Sequence, residues 1–135
     1  MKFTNEYIEM VGKAEEIQKN KEWNAMRLGS FAIIKGEFHD NEITTWDKLS
    51  YYGDDYKDEC EIIAWLPTLD DLFEILKGDV IATLDSFYDW VVVDCTNVIL
   101  LNNFVDIKEF LLCYVMFENY SKLWGFDKKQ WEAIK

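Results

Sequence analysis

The stretch from Asp106 to Trp124, DIKEFLLCYVMFENYSKLW, constrains the fold more than any other, because it is the longest helical pattern in the chain and its most apolar. Asp106 is a good N-cap, Lys122 suits a last turn, and Gly125 stands where a helix closes in the left-handed conformation. At 100° per residue Phe110, Cys113, Phe117, Tyr120 and Trp124 share one face, flanked by Ile107 and Tyr114. Leu112, Met116 and Leu123 gather on nearly the opposite side, leaving a narrow polar strip that includes Asn119. A helix apolar over so much of its circumference is buried between layers, or buried on one side and shared with a second copy on the other. The expectation is a central core helix whose second patch meets another layer of the same chain, in a monomer or weak homodimer.

Charge placement supplies the next constraint. Residues 1–36 hold five acids and six bases, and residues 95–135 hold five of each. Residues 37–94 hold sixteen acids against Lys48, Lys57 and Lys77, a local net of −13 within a chain whose net charge is −12. Phosphate contacts need clustered Lys and Arg, so direct nucleic-acid binding is disfavoured and a basic partner is favoured. At 135 residues, half of them hydrophobic, the chain is expected to form one domain, 1–135, able to bury a sizeable core. The opening MKFTNEYIEM has no apolar signal region and no apolar run approaches a membrane span, so a soluble protein of the cytoplasm is expected. Cys60, Cys95 and Cys113 are an odd count without CxxC spacing, which points to reduced, buried thiols.

Taken in order, the pattern predicts a helix from Thr4 to about Lys21, a strand at Phe31–Phe38, and a polar turn over HDNEITT. A short edge strand at Trp46–Tyr52 and a charged loop at 53–59 precede a strong strand, Cys60–Leu66, closed by Pro67. Thr68 is predicted to cap a short helix to Lys77, with Asp71 at the capping-box position and Gly78 as its stop. Asp79–Tyr88 reads as helical or irregular. A strand from about Tyr88 and a hairpin of Trp90–Val93 with Val98–Leu101 follow. Asp127 and Gln130 suggest a capping box for a last short helix carrying Trp131 and Ile134. The fold class expected is α+β, a mainly antiparallel sheet packed against the long C-terminal helix.

Three acidic groupings are candidate sites. Asp47, Asp54, Asp55, Asp58, Glu59 and Glu61 cluster in sequence with Trp46, Tyr51, Tyr52 and Tyr56 interleaved. Their spacing is not that of an EF-hand loop, so no metal or other cofactor is expected. Carboxylates spaced along a segment resemble a phosphate backbone to an arginine-rich groove, and aromatic side chains supply contact area, which makes this a partner-binding surface. Asp70 and Asp71 are adjacent, but neighbouring helix positions point about 100° apart, and helix capping accounts for them. Asp85, Asp89 and Asp94 lie among aromatic residues, where burial raises a carboxyl pKa toward general-acid use. His39 is the only histidine, and no nucleophile, glycine-rich phosphate loop or metal triad accompanies the aspartates, so no catalytic residue is assigned.

With these segments in place, four pieces carry a resemblance: Ala14-Glu15-Glu16-Ile17-Gln18; Trp23 followed by Gly29; Trp65-Leu66-Pro67-Thr68-Leu69-Asp70-Asp71-Leu72; and Val115-Met116-Phe117-Glu118-Asn119-Tyr120-Ser121-Lys122-Leu123-Trp124. Together they resemble a family of small uncharacterised proteins encoded by phages and prophages of Gram-positive bacteria. Ser30 departs from the acid that often follows the glycine there. The resemblance implies a phage accessory protein acting in the host cell and carries no catalytic residues. Combined with the acidic middle, it leads to the expectation of a protein that binds and inhibits a basic host protein handling nucleic acid or defence, as an anti-CRISPR-like nucleic-acid mimic does. The alternative is a small enzyme or nucleotide-binding protein with an aspartate-lined aromatic pocket.

Overall fold

The computed structural model describes residues 3–27, 29–36, 39–45, 60–91 and 106–134. The chain is α+β with antiparallel sheets. It divides into two compact units, residues 11–68 and residues 1–10 with 69–135.

The expected N-terminal helix is three pieces: α1 (Asn5–Lys13), whose residues 5–10 belong to the second of these and 11–13 to the first, and α2 (Glu15–Gln18) and α3 (Lys21–Ala25), both in the first. The break after Lys13 turns the Ala14 N–H to the Val11 carbonyl, three residues back instead of four. A three-stranded antiparallel sheet follows, with β1 (Phe31–Gly36) between β2 (His39–Thr45) and β3 (Cys60–Leu66). Ala32, Ile33 and Ile34 are buried in the central strand, the run expected of a strand covered on both faces. The HDNEITT segment is strand β2, not a polar turn. Its register runs from Phe31 opposite Thr45 to Gly36 opposite His39. An edge strand tolerates charges because one side faces water, and Asp40 and Glu42 are exposed there while Thr44 is buried.

Along the edge of β3 away from β1, side chains reach the backbone. The Gln18 amide accepts from the Trp65 N–H at 2.8 Å and donates to the Trp65 carbonyl at 2.7 Å, reproducing the two bonds that a neighbouring strand would exchange. Lys21 Nζ adds a bond to the Ile63 carbonyl at 3.4 Å.

The other unit holds α4 (Leu69–Leu76), α5 (Val80–Asp89), α6 (Ile107–Tyr120) and a hairpin of β4 (Lys122–Gly125) with β5 (Gln130–Ala133). After α4 it is Lys77, at φ 54°, that takes the left-handed position expected for Gly78. Gly78 is needed for another reason: a Cβ there would meet Thr83 Oγ1 at 2.7 Å. The strand expected from Tyr88 is the last turn of α5, and Trp90 continues in helical geometry. The remainder of that expected hairpin lies outside the described residues.

α6 starts where expected. Asp106 and Glu109 form a capping box, and Lys108 through Met116 are buried without interruption. Leu112 and Met116 are fully buried within the single chain, and Cys113 is a buried free thiol. The helix ends four residues before Trp124, because Ser121 adopts φ 53° and ψ 47° and donates its N–H to the Phe117 carbonyl. A non-glycine residue in that conformation costs about 1 to 2 kcal/mol. The hairpin offsets it. Trp124 lies opposite Trp131 with ring centroids 5.1 Å apart, and the Ile134 N–H extends the pairing to the Ser121 carbonyl. The expected last helix is therefore strand β5.

Phe117 is only partly buried, so the centre of the helix's packing lies at Leu112 and Met116. Leu112→Ala should cost about 2 to 5 kcal/mol in urea unfolding, with Phe117→Ala costing less than its fully buried equivalent. Gln18→Ala, which strips both bonds from β3, should cost about 1 to 3 kcal/mol.

Candidate functional site

Of the expected partner-binding residues, Asp47, Asp54, Asp55, Tyr56, Asp58 and Glu59 lie outside the described residues, as do Trp46, Tyr51 and Tyr52. Glu61 is described. It is exposed on β3 and lies opposite Lys35 of β1. The same acidic segment continues through described elements, where Asp40, Glu42, Asp70, Glu74, Asp79, Asp85 and Asp89 are all exposed. Lys77 is the one Lys or Arg among the described residues between 39 and 91.

Of the aspartates near aromatic residues, the described Asp85 and Asp89 are exposed. Asp85 and Asp89 each lie about 200° around α5 from Phe87, so they face outward while Phe87 faces the core. Asp94 lies outside the described residues. The inward side of α5 is committed to an aromatic cluster. Phe87 meets Phe110 at 5.6 Å and Tyr114 at 5.5 Å, and Trp90 meets Phe110, Tyr114 and Phe117 at 5.8, 5.4 and 5.6 Å. Edge-to-face and tilted rings at these distances pack favourably beyond the area they bury. Burial pushes the Tyr114 hydroxyl's pKa up, Glu118 adds to the rise, and a Ser86 hydrogen bond opposes it.

α5 is consequently fixed with its other side outward. Asp79 caps it, accepting from the Ile81 N–H at 3.2 Å. Val80, Ile81, Leu84 and Tyr88 also fall at helical spacing, yet all four are exposed. Period alone does not say which stripe of such a helix is buried. The aromatic surface of α6 selects Phe87 and Trp90.

The described carboxylates held below the ordinary range belong to the packing of their unit. Burial raises the Glu6 pKa, but hydrogen bonds from Lys129 and Trp124 and the Lys129 charge more than offset it. Lys129 Nζ reaches both Glu6 oxygens, at 2.9 and 2.8 Å, and Trp124 Nε1 donates to Oε1 at 3.1 Å. Burial likewise acts upward on Asp106, and the Lys108 backbone and ammonium outweigh it. Burial pushes the Tyr7 hydroxyl far up, with Asp71 and Asp106 adding. These groups clamp α1 to the hairpin and cap α6. Among the described residues no group of three or more His, Cys, Asp or Glu side chains is placed to hold a metal ion, and no helix is long and apolar enough to cross a membrane.

Gln18 holds Trp65, 47 residues away in the sequence. Comparison with protein-family models, curated proteins and solved structures finds no match to this chain.

The Glu6 and Asp106 shifts set a pH dependence. A carboxyl whose folded pKa lies below its unfolded value stabilises fully above the unfolded value, and that contribution disappears as pH falls through the folded one. The thermal midpoint should drop on acidification as pH falls through the ordinary carboxylate range and below it. Lys129→Met should lower the midpoint near neutrality and remove part of that acid dependence, as differential scanning calorimetry would read.

Proposed function

We propose that this protein is an accessory inhibitor that binds a basic host protein, occupying with carboxylates a surface that otherwise holds a nucleic-acid backbone. The observation that carries the reading is the concentration of sixteen acids against three bases within residues 37–94. The exposure of eight acids among the described residues of that segment supports it. The phage-like sequence segments support the accessory role, and the host cytoplasm is the compartment it implies. Asp47, Asp54, Asp55, Tyr56, Asp58, Glu59 and Glu61 form the proposed partner surface.

Affinity-tagged protein should capture a basic partner from a Gram-positive host lysate, and DNA or RNA should compete for it. Charge pairing of this kind is screened by salt, so affinity should fall by about tenfold or more between about 0.05 and about 0.3 M salt. Reversing Asp54, Asp55 and Asp58 to Lys should abolish capture. Reversing Glu15 and Glu22, exposed on α2 and α3, should leave it intact. Capture that ignores salt, nucleic acid and the triple reversal would sink the proposal.

A further inference from the structure

Building on the basic-partner reading, we infer that the outward side of α5 is the docking surface for a basic amphipathic helix of that partner. Val80, Leu84 and Tyr88 stand on successive turns with Ile81 beside them, an arc of about 100°. Their exposures are 53%, 44%, 63% and 77%. A single exposed apolar residue is ordinary, but four large ones on one face of a ten-residue helix form a continuous apolar stripe of the kind that marks an interaction site.

The helix that carries the stripe is held along its adjoining side by the aromatic contacts of Phe87 and Trp90. A surface fixed before binding loses little freedom on binding. A ridge at i, i+4 and i+8 fits the groove between corresponding ridges of another helix.

Charge selects the occupant. Asp85 and Asp89, one turn apart, flank the stripe on one side, and Asp79 stands at its N-terminal end; residues 79–91 contain no Lys or Arg. A second copy of this chain meeting the stripe about a twofold axis would bring these aspartates toward their own counterparts, which opposes self-association through α5. A helix with an apolar stripe and Lys or Arg at i and i+4 beside it satisfies both features, burying Ile81 and Leu84 while pairing with Asp85 and Asp89.

The test titrates the full-length protein with a synthetic helical peptide of about 18 residues, with Leu at i, i+4, i+7 and i+11 and Lys alongside. A control peptide carries Glu in place of each Lys. Isothermal calorimetry should show the Lys peptide binding at least about tenfold more tightly than the control, and amide shift changes should concentrate on residues 80–89. Ile81→Gln with Leu84→Gln should weaken binding by about tenfold at any salt, and Asp85→Lys with Asp89→Lys by about tenfold at low salt only. Both pairs are exposed, so circular dichroism should report an unchanged fold. Asp40→Lys with Glu42→Lys on β2 should change binding by less than about twofold.

Absent binding, binding that survives both α5 variants, shift changes located elsewhere, or a dimer that the α5 variants dissociate would each overturn the inference. If the host partner is still captured by the Ile81 and Leu84 variant in a salt-dependent way, the docking face is wrong and the basic-partner reading stands. If capture itself does not depend on charge, the functional reading fails first.

Discussion

The unit built from the chain's two ends depends on the carboxylate of Glu109, which is 1% exposed. Its Oε2 accepts from the Asp106 N–H at 2.9 Å, completing the capping box of α6, and its Oε1 accepts from the Thr4 hydroxyl at 3.1 Å. Thr4 Oγ1 in turn accepts the Tyr7 N–H at 3.0 Å and so caps α1. Two helix starts 105 residues apart thus share one acid. Both N-termini carry partial positive charge, which favours an anion at this point. Lys108 closes the site from the side, pairing with Asp106 at 2.9 Å and lying 5.6 Å from the centre of the Phe3 ring. With α1 held there, the Met10 carbonyl, which does not receive the Ala14 N–H, accepts the Trp131 indole N–H at 2.8 Å. Glu6 takes Lys129 and Trp124, and the hairpin is fixed along the same helix.

That arrangement explains which parts of the fold were legible in the sequence. Local signals held where one residue's chemistry decides: Asp106 starts α6, and Pro67 follows the last residue of β3. They failed where a distant partner decides. Nothing local separates a helix running to Trp124 from one ending at Ser121, because the stop depends on Trp124 meeting Trp131 across a hairpin. Asp127 and Gln130 mimic a capping box, but Lys129 at φ 53° turns the chain into β5, and the Lys129 N–H returns to the Gly125 carbonyl at 2.8 Å. The polarity of HDNEITT suggests a turn, although Ile43, Thr44 and Thr45 are β-branched and suit an edge strand.

The candidate surface was legible in amount and not in arrangement. Charge is a count, and sixteen acids against three bases can be read without coordinates. The orientation of α5 cannot, since Val80, Leu84 and Tyr88 repeat at the same period as Thr83, Phe87 and Trp90. A sequence reader expects the aspartates of this helix to sit among its rings. The rings of α6 attract Phe87 and Trp90 inward, and the remaining stripe, with Asp85 and Asp89, is turned to solvent.

The two kinds of acid in this chain therefore do different work. Glu6, Asp106 and Glu109 lie in the charge-balanced ends, where each is held by a donor that the fold itself supplies. Residues 37–94 supply only three lysines for sixteen carboxylates, so the segment does not balance its own charge. The excess repels itself and lowers the stability of the compact state, and salt only screens it. A cationic partner removes the repulsion and adds stability as mass action requires, by an amount that grows with the logarithm of its concentration over its dissociation constant. Such an excess is a cost to an isolated fold and a source of attraction toward a cation.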